Sequence, residues 1–228
     1  MRLSFLGTGS AFSLERYNGA VAVDGRLLLD GGAPLLPHMH RVGIEPARIE
    51  AVFVTHFHGD HLLGLPPFLL YRSLQAGGRL TVVGPPGVEA RLEELSRLCW
   101  GDDWQPHTER FQLTYEESTG SGRAAGVDYE TVNLRHGRSG GMGYRLRVAG
   151  RLLAYAGDAE PTPELDELVQ AADVAIIEAT APGEVPSHTS WEQAQQLIAR
   201  HPRTRFLLNH VFSGELDGAV RDLQQIDV

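Results

Sequence analysis

The chain contains no lysine: every one of its twenty basic side chains is arginine, in a sequence of 228 residues. Acidic residues number 29, so the net charge is −9. This balance argues against broad electrostatic binding of nucleic acid, which works by neutralising phosphates. It leaves room for a small-molecule anionic substrate held at a local metal centre. Cysteine occurs once, as Cys99, so no intramolecular disulfide can form and a reducing, cytoplasmic setting is expected. Its place at the end of "LSRLCWG" predicts a buried packing role. No apolar run approaches the roughly 20 residues of a membrane span, and the N-terminus lacks a cleavable signal pattern. A membrane partner is therefore not expected. Repeats, linkers and low-complexity tracts are also missing, apart from the loose "ESTGSGRAAG" segment. The expected organisation is one domain over residues 1–228, large enough to bury about 70–75% of its unfolded surface.

What is present is a chain of short apolar segments separated by turn signals. "LSFLG", "AVAVDGRLLLDGG" and "AVFVTH" read as strands, with Asp24-Gly25 suited to a tight hairpin. "PLLPHMHRVGI" and "GLPPFLLYRSLQAGG" read as helical segments interrupted by proline. "RLTVVGPPG" is a strand, and "GVEARLEELSRLCW" carries helical spacing. "RFQLTYEE", "VDYETVNLRHG" and "GMGYRLRVAGRLLAYAGD" alternate with period two, with Ala149-Gly150 as a turn inside the last. "TPELDELVQAAD" is a helix capped at Thr162, and "VAIIEA" a strand. "SWEQAQQLIARH" is a helix with a capping box of Ser190 and Gln193. "RFLLNHV" is the last strand and "DGAVRDLQQI" a final helix. The pattern, a strand meander followed by strand–helix alternation and given twice, predicts α/β architecture with two sheets.

The chemistry concentrates in "VTHFHGDHLLG". His56 and His58, two apart on a continuing strand, would face one side; a turn at Gly59 could bring Asp60 and His61 to the same pocket. Imidazole and carboxylate suit zinc first, with manganese, iron and nickel open. Three further polar residues stand at the tips of apolar strands: His136 in "NLRHG", Asp158 in "YAGD" and His210 in "LLNHV". His38, His40, His107 and His201 have no such setting and read as ordinary.

The run His-x-His-x-Asp-His, followed in order by His136, Asp158 and His210, resembles the signature of the metallo-β-lactamase fold superfamily. The resemblance implies a four-layer αββα sandwich, with two mixed sheets packed face to face and helices outside. It implies two divalent metal ions: His56, His58 and His136 on one, Asp60, His61 and His210 on the other, and Asp158 bridging. Such a pair would activate a bridging hydroxide for hydrolysis. Asp30, ending "LLLDGG", resembles the family's aspartate that orients a ligand histidine; a turn-forming role is the alternative.

"FLGTGSAF", "THFHGDHLLGLP" and "IIEAT…SHTS…LLNH" are most similar to ribonuclease Z and its small phosphodiesterase relatives, across essentially the whole chain. By that resemblance His188, in "SHTS", would stabilise the phosphate or protonate the leaving oxygen, with Glu178 as a partner; Thr189 and Ser190 could equally just cap a helix. Several departures argue against tRNA 3′-processing and against nucleic acid as a partner. Glu15 stands where the family has lysine, and "IEAT" lacks the histidine of the family's "HEAT" loop. The segment from His136 to Asp158 is too short for a protruding tRNA-gripping arm. The expected activity is therefore a dinuclear metal-dependent hydrolase of a small phosphodiester, with Asp60 and His188 catalytic. The alternatives are a lactone or ester hydrolase on the same metals, or a non-catalytic metal-binding sensor or scaffold. "LLGLPPFLLYR" and "CWGDDW" could line a pocket, form a homodimer contact or pack in the core.

Overall fold

The computed structural model describes residues 1–228. The first half of the chain runs β1 (Arg2–Gly7), β2 (Ala20–Val23), β3 (Leu27–Leu29), α1 (Leu35–Arg41), β4 (Ala51–Phe53), α2 (Gly59–Leu62), α3 (Leu65–Tyr71), β5 (Gly78–Gly84), α4 (Val88–Trp100) and β6 (Phe111–Glu117). The second half runs β7 (Ser121–Ala124), β8 (Val127–Leu134), β9 (Gly141–Val148), β10 (Arg151–Tyr155), α5 (Pro163–Val169), β11 (Val174–Glu178), α6 (Trp191–Arg200), β12 (Arg205–Asn209) and β13 (Gln225–Asp227). The strands make two mixed sheets, ordered β13-β1-β2-β3-β4-β5-β6 and β12-β11-β10-β9-β8-β7. Each sheet is antiparallel in its meander and parallel where helices cross over: β3, β4, β5 and β6 in the first, β10, β11 and β12 in the second.

The period-two pattern explains the layers. Along β2, Val21 and Val23 enter one apolar cluster while Ala20 and Ala22 enter another; along β4, Ala51 and Phe53 part from Val52 and Val54 in the same way. In β11, Val174 and Ile176 join the first cluster and Ala175 and Ile177 a third. The shared cluster lies between the sheets, and the other two lie under α1, α3 and α4 on one side and α5 and α6 on the other. Strands buried on both faces read as continuous apolar runs, and each large side chain so buried contributes about 1.5–3 kcal/mol. This is the αββα sandwich.

Asp24-Gly25 and Ala149-Gly150 are tight turns with both residues at positive φ, and the Ser190–Gln193 capping box forms reciprocally. Three readings differ. The "ESTGSGRAAG" segment is ordered as β7, paired antiparallel with β8 through an Ala125-Gly126 turn; Ala-Gly is a weaker turn signal than Asn-Gly or Asp-Gly, so the hairpin escapes notice. "DGAVRDLQQI" is not a helix. Its Asp222 carboxylate accepts the backbone N–H groups of Thr8 and Tyr17, and β13 then covers the edge of β1, so tertiary pairing overrides helical propensity. Cys99 is exposed, because in the last turn of α4 it is Trp100 that reaches α3, donating to the Pro66 carbonyl. The two apolar segments supply core, with Leu65, Phe68, Leu69 and Trp104 all buried beneath the first sheet. No helix is long and apolar enough to cross a membrane.

Arg72, just past α3, is wholly buried without a carboxylate partner. Its guanidinium donates to the carbonyls of Ile49, Gly77, Arg79 and Pro46 at 2.6–3.2 Å and lies over the rings of Phe111 and Phe68. Burial alone lowers its pKa. Arg72→Met would leave two buried and two part-buried carbonyls without their donor, and buried unsatisfied groups of this kind cost about 1–3 kcal/mol each. We expect destabilisation of at least about 3 kcal/mol in urea unfolding; a change below 0.5 kcal/mol, the scale of an ordinary surface substitution, would contradict this account.

Candidate metal centre

The polar residues singled out in the sequence stand at strand ends. Asp30 follows β3, the segment Thr55–His61 follows β4, and His136 follows β8. Asp158 follows β10, Glu178 ends β11, and His210 follows β12. Loops at the carboxyl ends of strands are where α/β sheets place ligands. The two sheets are fastened together there: the Tyr144 hydroxyl donates to the Val54 carbonyl at 2.6 Å and the Met142 N–H to the Thr55 carbonyl at 2.9 Å. Gly157 lets Asp158 come close. Its φ is 61°, and a Cβ there would stand 2.6–2.8 Å from Thr55 side-chain atoms. Gly59 makes no left-handed turn; it begins α2, and this short helix carries Asp60 and His61 inward.

Two ligand groups result. His56 Nε2 and His136 Nε2 each lie 3.1 Å from His58 Nδ1, and Asp158 Oδ2 lies 3.8 and 3.7 Å from the first two. In the second group His210 Nε2 is 3.1 Å from Asp60 Oδ2 and 3.2 Å from Asp158 Oδ1. His61 Nε2 is 3.2 Å from Asp158 Oδ1 and 3.5 Å from Asp60 Oδ2. Asp158 thus turns one oxygen towards each group. Within each group the possible ligand atoms all lie within 4.8 Å of one another. Nitrogens roughly 3.3 Å apart are what a tetrahedral ion with ligands at about 2.0–2.1 Å requires.

The opposite edge of nearly every imidazole is held, which selects the nitrogen left for a metal. His61 Nδ1 donates to Asp30 Oδ2 at 2.8 Å, and His136 Nδ1 to the Ser187 carbonyl at 2.8 Å. His56 Nδ1 lies 3.0 Å from the Thr55 hydroxyl and His58 Nε2 2.9 Å from that of Ser139. Asp30 also accepts the Thr55 N–H and the Tyr155 hydroxyl, both at 2.8 Å. Its positive φ of 55° shows that the turn role and the orienting role coexist in one residue. Thr55, Tyr155, Ser139 and Ser187 did not stand out in the sequence. Only Thr55, next to the histidine run, offered any local signal.

A third group adjoins these. Glu178, fully enclosed, accepts the Ala159 and Thr189 N–H groups, the Thr180 hydroxyl and His188 Nδ1, the last at 2.8 Å. His210 Nδ1 is 3.4 Å from the same carboxylate. Of the histidines read as ordinary, His38 is buried against the Leu6 carbonyl and His201 pairs with Asp166.

Electrostatics and unmet bonding both call for cations. Burial and the charge of His61 push His56 down to about 2, the neutral form a ligand needs. Burial also opposes charge on His61 and His210, yet the Asp158 carboxylate, with Asp30 beside the first and Asp60 and Glu178 beside the second, raises both, His210 to about 10. Asp158 itself is held well below the ordinary carboxylate range: burial works against this, and His210 and His61 outweigh it. His61 Nε2 and Asp158 Oδ1, 3.2 Å apart, have no hydrogen-bond partner although buried, a costly arrangement unless something else occupies the space beside them. Divalent ions fit this donor set.

Residues 25–211 match the family described as the β-lactamase superfamily domain. The chain belongs to the β-lactamase superfamily. It is 30% identical to ribonuclease Z of Pyrobaculum calidifontis, over 87% of this chain and 80% of that protein. It is 27% identical to ribonuclease BN of Erwinia tasmaniensis, over 93% and 90%. The fold matches that of the short form of human tRNase Z with a TM-score of 0.80 at 24% identity, covering 100% and 99% of the two chains. This superfamily member is a metal-dependent hydrolase of the ribonuclease Z-like branch. The expectation of a small phosphodiester, with nucleic acid and tRNA processing argued against, is overturned by these relatives, which are named as ribonucleases along nearly their whole length. Net charge averages over the whole surface and says little about the field in one cavity, and missing gripping elements bear on affinity rather than on the reaction.

Asp30→Asn would keep the shape but lose the charge that orients His61. Outer hydrogen-bond partners of this kind are worth about 10–100-fold in metal affinity. We expect a loss in that range by competition with a chromophoric chelator, and unchanged affinity would remove Asp30 from the metal-holding role.

Proposed function

We propose that residues 1–228 form one hydrolase domain of ribonuclease Z type, a phosphodiesterase that cuts precursor tRNA on its 3′ side. The observation that carries the reading is the placement of His188, held from behind by Glu178, beside both ligand groups in one cavity of about 810 Å³. The names of the whole-length relatives support the choice of RNA.

In this reading His56, His58 and His136 hold one ion, Asp60, His61 and His210 a second, and Asp158 spans them. Charge supports two ions. Asp30, Asp60, Asp158 and Glu178 are four buried carboxylates, and two divalent ions match their charge, where unpaired burial would be prohibitive. Zinc suits the imidazole-rich donor set. When bound, such ions supply Lewis acidity for phosphate oxygens and an acidified water.

The protein's own groups do the rest. Asp60 reaches the cavity with one oxygen engaged by His210, so its other oxygen is available to take the proton of the attacking water. Glu178 holds the Nδ1–H of His188, so Nε2 is the nitrogen turned to substrate. Burial disfavours the imidazolium, but the Glu178 carboxylate outweighs it and raises the pKa of His188 above its ordinary value. A protonated His188 can stabilise the extra negative charge on phosphorus and hand its proton to the departing ribose oxygen.

The test is incubation of the zinc-loaded protein with a precursor tRNA carrying a 3′ trailer, with the products mapped. One cut at the trailer junction is expected, and His188→Ala should lower kcat by roughly 10²- to 10⁴-fold, the usual worth of a general acid, with little change in zinc content. A zinc-replete protein that hydrolyses other esters but leaves every RNA intact would refute the reading.

A further inference from the structure

The cavity above the metal groups has an apolar rim that the hydrolytic chemistry does not use. Phe12 is 79% exposed and Phe212 42% exposed, and both line this cavity together with His58, Asp60 and His188. Leaving phenyl rings in water forgoes available burial, so their position calls for an explanation.

Neither ring is outside for want of anchoring. The loop that carries Phe12 is closed at its base by the Gly9 N–H on the Tyr17 carbonyl and the Asn18 amide on the Ser10 carbonyl. Arg16 donates to the Val220 carbonyl at 2.6 Å, and Asp222 holds the Thr8 and Tyr17 amides at 2.8 Å. Phe212 directly follows His210–Val211, and its own N–H donates to the Thr180 carbonyl at 2.8 Å. The two segments are tied to each other: Gly9 bridges Val211, the Val211 N–H meets the Thr8 carbonyl at 2.9 Å and the Ser10 N–H meets the Val211 carbonyl at 3.2 Å. The segments bearing both rings are therefore held by the same backbone ladder that holds His210. Arg138 lines the same cavity from the turn after His136; it is the cavity's one guanidinium and is exposed there. Two aromatic rings on backbone-tied segments and one cation around this floor are the components of a single-nucleotide site, in which a base stacks on aromatic faces and its phosphate meets arginine.

We infer that Phe12 and Phe212 form a stacking site for the nucleobase beside the scissile phosphate, with Arg138 on the adjoining phosphate. The inference rests on the ribonuclease reading above and names the part of the RNA this cavity receives. The general Lewis-acid chemistry needs no base; the rim would make cleavage depend on one.

The probe is a precursor tRNA with a 3′ trailer in which 2-aminopurine replaces, in turn, the base on either side of the cleaved bond. Stacking quenches this base, so stopped-flow mixing with zinc-loaded wild-type protein should quench one of the two positions before the cut. Phe12→Ala and Phe212→Ala should abolish that quench and lower kcat/KM on unmodified substrate roughly 5- to 150-fold, the range spanned by base–aromatic stacking. Phe12→Trp and Phe212→Trp should retain both properties. An abasic residue at the quenched position should cost the wild type a similar factor and cost the alanine variants little more. Cleavage with no quench at either position, and alanine variants cutting at the wild-type rate, would overturn the stacking site while leaving the ribonuclease reading intact. Failure of the wild type to cut any RNA would overturn that reading and the inference with it.

Discussion

The carboxylate of Asp30 ties together parts of the molecule that share no other single partner. It sits at the end of β3, fully buried, and accepts hydrogen bonds from Thr55 after β4, His61 in α2 and Tyr155 in the second sheet. A buried carboxylate is tolerated only when its oxygens are satisfied. Meeting that requirement fixes the spacing of the two sheets at one end, the path of the histidine loop and the tautomer of His61 together. The ligand groups inherit their geometry from it.

Around this point the protein concentrates charge that would be intolerable elsewhere in its interior. Four carboxylates and the site imidazoles lie between two sheets whose remaining contact is almost wholly apolar. The sandwich can carry them because the sheets' inner faces supply a large dry core, and because the loops that follow the strands present backbone N–H and C=O groups to the side chains. Glu178 uses two such amides, His136 a carbonyl, and His210 a left-handed backbone at φ 56°. Strained backbone persists where the surroundings over-determine it, and here parallel pairing of β11 with β12 does so.

The contrast between chemistry and substrate is instructive. The reaction type follows from a donor set only a few ångströms across, so it survives large changes at the periphery. On the inference drawn above, substrate choice would rest on the rim, where the exposed Phe12 and Phe212 differ in kind from the polar floor. The lack of basic or protruding parts bears on how strongly a large partner is gripped and not on which partner enters.

Much was legible in the amino-acid sequence because it is carried by local rules. Alternation along "AVAV" and "VAIIE" signals strands buried on two faces, Asp24-Gly25 signals a tight turn, and Ser190 with Gln193 signals a helix start; each needs only a few neighbouring residues. The spacing of "HFHGDH" pointed to a metal loop for the same reason, since the short loop after β4 and the first turn of α2 present all four side chains. Other features are decided by residues far apart in the chain. Asp222 converts an expected helix into a strap under Thr8 and Tyr17, Arg72 finds two of its acceptors at the distant Pro46 and Ile49, and the loop bearing Phe12 is held at the cavity by the pairing of Gly9 with Val211. Such contacts depend on which surfaces the finished sandwich brings together, and no local window of the sequence contains both partners. Local stereochemistry thus determined the elements and the ligand types, and tertiary packing decided how they are oriented, neutralised and approached by substrate.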